Sequence, residues 1–139
     1  MTTLMVHLEL GHANTRLLEA AADLAGRLGA SVMGIAACQP IRIVYGDDFV
    51  SGDFIEQDRK ELEKEIKEAE AEFRAALCTR VENLEWRSMI TYAPLADYLA
   101  YQARCADLIV TGVERDRSVF DSSRGADIGD LVMRAGRPV

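Results

Sequence analysis

Three cysteines, three prolines and a single tryptophan among 139 residues leave several protein classes without support. Cys38, Cys78 and Cys105 are odd in number and far apart, and they form neither a CxxC pair nor a Cys/His ligand set. A disulfide framework and a structural zinc site are therefore poor readings, and buried, reduced thiols in a cytoplasmic protein are expected. Basic residues are outnumbered 16 to 23, and the resulting net charge of −7 argues against a nucleic-acid partner, whose phosphates require a basic stripe. No apolar run approaches the roughly 20 residues of a membrane span, and MTTLMVHLEL lacks the basic start of a signal peptide. Catalytic signatures are missing too. There is no GxxxxGK[ST], no GxGxxG after the first strand, no paired carboxylates and no nucleophile beside a base. The two histidines, His7 and His12, lie near Glu9 but have no third partner, so a packed or surface role is expected for both.

What is present is an ordinary globular composition, 49% apolar and 28% charged. The length predicts a single domain, residues 1–139, that buries about two-thirds of its unfolded surface. Leu4, Val6, Leu8 and Leu10 alternate with Met5, His7 and Glu9 as in an interior strand, which Gly11 breaks. Asn14 or Thr15 then caps a helix whose apolar residues recur at helical spacing through Leu28, with Gly29 in the terminating position. Ser31 to Cys38 is a second buried strand ended by Pro40. Together these make a βαβ unit.

Residues 41–56 read as a long connection whose Val44, Tyr45, Phe49 and Phe54 suit either packing over the sheet edge or a ligand lid. From Gln57 to Cys78, Leu62, Ile66, Ala69, Phe73 and Leu77 form one apolar stripe, opposite a solvated face dense in charge. A third strand is expected over Leu84–Thr91. A helix follows from Pro94 through Cys105, then a fourth strand over Asp107–Thr111 and a last helix over Ala126–Ala135. The order β-α-β-α-β-α-β-α predicts a three-layer α/β/α open parallel sheet, Rossmann-like in its succession of elements. A final edge strand should follow Pro138, so the sequence stops where that strand would start. A receiver domain has a similar element order but requires an acidic pair after the first strand and an Asp ending the third. Here a lone Glu9 and Thr91-Tyr92 stand in those places.

The ordered set VHLEL, TRLLEAAADLAGRLGA–SVMGIAA, an acidic second helix, and DLIVTG…G…RPV resembles the universal stress protein family along the whole chain. That resemblance implies a non-catalytic stress-response protein acting through dimerisation or partner contacts. Dimers would form through the last strand, the partner being a second copy or a tandem domain. In nucleotide-binding members the closing block is G-x2-G-x9-G-[ST], which holds the ribose and phosphates of ATP, and the acidic residue ending strand one lies near the adenine. Carried over, the site is Glu9, Gly112, Arg115, Gly125 and Ala126. Arg115 replaces a glycine that lets backbone approach phosphate without a Cβ clash. Ala126 lacks a hydroxyl worth on the order of 1.5–3 kcal/mol against a charged ligand, and Glu9 is one methylene longer than the usual Asp. Arg115, Arg117 and Arg124 can pair with an anion, although Asp116 and Asp121 dilute their field. The expectation is a nucleotide fold with weakened or lost ATP binding and no required cofactor. An ATP-responsive switch ordering the 118–124 loop is the first alternative, and a slow ATPase the second.

Overall fold

The computed structural model describes residues 2–11, 13–40, 52–112 and 128–139. The alternating start of the chain becomes β1, Thr3–His7, and the following amphipathic run becomes α1, Thr15–Leu28. Gly29 ends that helix in the left-handed region (φ 59°), and the N–H groups of Gly29 and Ala30 both turn back to the Ala25 carbonyl. β2 spans Ser31–Cys38, as its sequence predicts. α2 spans Gly52–Leu77, β3 Leu84–Ile90 and α3 Leu95–Gln102. A short 3-10 turn at Ala103–Cys105 leads into β4, Leu108–Thr111, and α4 covers Ile128–Ala135.

The sheet order is β3-β2-β1-β4, and every pairing is parallel. Alternation along each strand divides the core in two. Leu4, Val6 and Leu8 pack with Leu18, Leu62, Phe73 and Leu77 of α1 and α2. Met5, Met33, Ile35 and Ile109 face Leu95, Leu99 and Leu131 of α3 and α4. Helices thus cover both faces, which accounts for the apolar character of both faces of β1 and β2.

Three expectations are corrected. The connection predicted over 41–56 is shorter at its end, because Gly52 already begins α2, which takes in Phe54 of the proposed lid; residues 41–51, with Val44, Tyr45 and Phe49, lie outside the described residues. The Pro94–Cys105 helix tightens into a 3-10 turn for its last three residues. Of the cysteines only Cys38 is buried. Cys78 is exposed one residue past the end of α2, and Cys105 is exposed in the 3-10 turn. On the edge where another strand was expected, the Ile109 N–H donates to the Pro138 carbonyl at 2.9 Å, so the chain comes back alongside β4 there.

Candidate functional site

In an open parallel sheet the ligand crevice lies beyond the carboxyl ends of the strands, where successive connections leave for opposite faces. Here that point is between β1 and β4. β1 is followed by α1 on one face, and α4, which follows β4 in sequence, packs on the other. The last residues of the two strands, His7 and Thr111, are register partners. His7 Nδ1 and Thr111 Oγ1 lie 3.1 Å apart, a polar link across the strand ends, with the imidazole 2% exposed. His7 is thus a packed histidine tied to a hydroxyl. His12 lies outside the described residues.

Glu9, half-buried, stands two residues beyond β1, and Gly112 directly follows β4, so both predicted residues lie just past the carboxyl ends of neighbouring strands, at the switch point. A Cβ built on Gly112 would meet no heavy atom within 4 Å among the described residues. Packing among the described residues therefore does not require glycine there. Arg115, Gly125 and Ala126 lie outside the described residues.

The backbone around Glu9 is held from elsewhere. Gly11 turns the chain with φ 88°. Asn14, only 7% exposed, then reaches back: its Oδ1 accepts from the Glu9 N–H and its Nδ2 donates to the Glu9 carbonyl, both at 3.0 Å. The Asn14 N–H in turn donates to Glu72 Oε1 of α2 at 2.8 Å. Asn14 occupies the N-cap position of α1, as the sequence suggested. Its side chain makes no capping bond, because both amide atoms are engaged with Glu9. Neither Glu72 nor Thr111 carried a functional signal in the sequence. Each joins the site only through topology, 58 residues from Asn14 and 104 from His7 respectively.

At the opposite end of the sheet a hollow of about 450 Å³ is lined by Thr3, Ser31, Glu82, Asn83, Glu85 and Cys105. It faces the amino ends of the strands, away from the switch point, where open sheets of this class do not place their ligands. Among the described residues there is no cluster of three side chains able to hold a metal ion, and no helix long and apolar enough to cross a membrane.

No family model matches the sequence, and no curated protein matches it. Solved structures do match it. A universal stress protein from Lactobacillus plantarum superposes with a TM-score of 0.67 at 20% identity, over 99% of this chain and 94% of that one. A protein of the universal stress protein family from Burkholderia pseudomallei gives 0.64 at 20% identity, over 99% and 92%. The Archaeoglobus fulgidus universal stress protein in complex with dAMP gives 0.59 at 19% identity, over 100% and 95%. At such identities the likeness establishes a shared fold along nearly the whole length of both chains.

Proposed function

We propose that this chain is a universal stress protein domain, non-catalytic, acting in stress response through contacts with a second copy of itself or a tandem domain, with weakened or lost ATP binding. The observation that carries the reading is the topological switch point between β1 and β4, with Glu9 following one strand and Gly112 the other. A protein of the same fold is solved with dAMP, which supports an adenine nucleotide as the ligand class to test. The weakening follows from chemistry. Arg115 and Ala126 stand where the nucleotide-binding pattern has a glycine and a hydroxyl, and the lost hydroxyl alone costs roughly tenfold or more in affinity.

Calorimetric titration with ATP and Mg²⁺ tests this directly. Little or no heat at sub-millimolar ATP is expected for the parent chain, and clear binding for Arg115→Gly combined with Ala126→Ser. Micromolar binding by the parent would overturn the weakened-site reading and favour the ATP-responsive switch. Phosphate release faster than without protein would overturn the non-catalytic reading. The contact role is read by sedimentation, in which a monomer at all concentrations would exclude the homodimer.

A further inference from the structure

The acidic residue just beyond β1 can act on a ligand only if its backbone is fixed, because a hydrogen bond tolerates misplacement of about half an ångström. Glu9 lies beyond the last strand pairing of β1, in a turn that a left-handed glycine makes possible. Its backbone N–H and carbonyl are both taken by the one side chain of Asn14. An Asn at a helix N-cap ordinarily gives its oxygen to the first turn. Here that cap is forgone and the amide points backwards, into the loop that carries Glu9. Asn14 is itself held by the carboxylate of Glu72, a charged acceptor and so a stronger one than a neutral group. Glu72 adjoins Phe73, which is fully buried and presses against β2 at Gly34. A continuous series of contacts therefore runs from the middle of the sheet, through α2 and Asn14, to Glu9.

We propose that Asn14 and Glu72 are positioning residues for the crevice: Asn14 fixes the backbone of Glu9, and Glu72 fixes Asn14. The proposal rests on the reading of the β1–β4 crevice as an adenine-nucleotide site. Its consequence is that the β1 wall of that site is set by α2, an element outside the glycine-rich closing block. Changes on α2 should then reach ligand affinity without touching the ligand.

Amide hydrogen exchange measured by NMR reads the positioning itself. In Glu72→Ala the amides of Asn14 and Glu9 should exchange about tenfold faster, the equivalent of one lost hydrogen bond, while Met5 and Ala21 keep their protection. Glu72→Gln retains an acceptor oxygen and should restore Glu9. Asn14→Asp, which keeps the acceptor for the Glu9 N–H but loses the donor to its carbonyl, should fall between the parent and Asn14→Ala. An unchanged Glu9 amide in Glu72→Ala overturns the proposal, and so does a uniform rise at Met5 and Ala21, which would mean general loosening. Ligand dependence is read in the Arg115→Gly/Ala126→Ser background. There Asn14→Ala should weaken ATP binding, and its effect should vanish once Glu9→Ala is also present; additive effects overturn the link to Glu9. If that background fails to bind ATP, the nucleotide reading fails, while the exchange measurements still decide whether Glu72 and Asn14 hold Glu9.

Discussion

Gly34 lies in the middle of β2, and a side chain there would collide with the packing that seats α2. A Cβ on Gly34 would fall 2.8 Å from Phe73 Cε2 and Trp86 Cε3 and 2.9 Å from Phe73 Cδ2. Carbon atoms pack best at roughly 3.5–4.0 Å, so these rings must retreat by about 0.7 Å or more. Phe73 has no room to do so, being fully buried and set against the Trp86 ring at 5.5 Å between centroids. Overpacking of this kind costs about 1–3 kcal/mol. Restricting the unfolded chain offsets about 0.4–1 kcal/mol of that. At the middle of these two ranges Gly34→Ala should destabilise by about 1.3 kcal/mol, lowering Tm by about 3–7 °C for a chain of this size. Urea denaturation followed by circular dichroism measures it, with the midpoint falling and the slope unchanged. Adding Phe73→Leu should recover part of the loss, since the two substitutions share one contact and cannot be additive. Because Glu72 is bonded to Phe73 in the chain, Gly34→Ala should also speed exchange at the Glu9 amide. Parental stability in Gly34→Ala would refute the packing argument, and with it the rigid seat of α2.

Other expectations follow from single residues. Gly112→Ala, whose Cβ would meet no heavy atom within 4 Å among the described residues, should leave stability within about 0.5 kcal/mol of the parent by thermal unfolding, yet abolish the ATP binding gained by Arg115→Gly/Ala126→Ser; retained binding would remove Gly112 from the site. Gly29→Ala, at φ 59°, should cost about 1–2 kcal/mol through left-handed strain, read by the same melts. Burial raises the Tyr98 phenol above its ordinary value, and nearby Arg87 acts in the opposite direction. The stability Tyr98 contributes is therefore complete below the ordinary phenol pKa of about 10 and is lost as pH rises above it. Tyr98→Phe should flatten that alkaline slope in melts taken across the range.

The parts of the fold legible in the sequence are those where one local rule had no competitor. α1 carries a full apolar stripe and a terminating Gly29, and Ser31–Cys38 is a continuous run between Gly29-Ala30 and Pro40; both elements fall at their expected bounds. The start of α2 was misplaced because Gly52 and Asp53 suit a loop as well as a helix entrance, where the dipole favours an acid. Cysteine burial was misjudged for a related reason. Composition makes cysteine an interior residue on average, whereas position decides each case: Cys78 follows the buried Leu77 by one step, which turns it away from the core.

On the function proposed above, the two walls of the β1–β4 site differ in how they are written. The β4 side is a linear motif, so the spacing of Gly112, Arg115, Gly125 and Ala126 can be counted along the chain. The β1 side is assembled by the fold: parallel register sets Thr111 against His7, and helix packing brings Glu72 to Asn14. No spacing rule connects residues so far apart. The departures from the nucleotide-binding pattern that a linear reading can find therefore fall mainly on the wall that is linear, at Arg115 and Ala126, while the assembled wall keeps its buried Asn14 with both amide atoms engaged. If ATP affinity was lost through substitution on one wall, two changes should go far towards restoring it, because the other wall is still held in place. A crevice that had decayed as a whole would not respond to two changes, and Arg115→Gly with Ala126→Ser therefore distinguishes a locally altered site from a dismantled one.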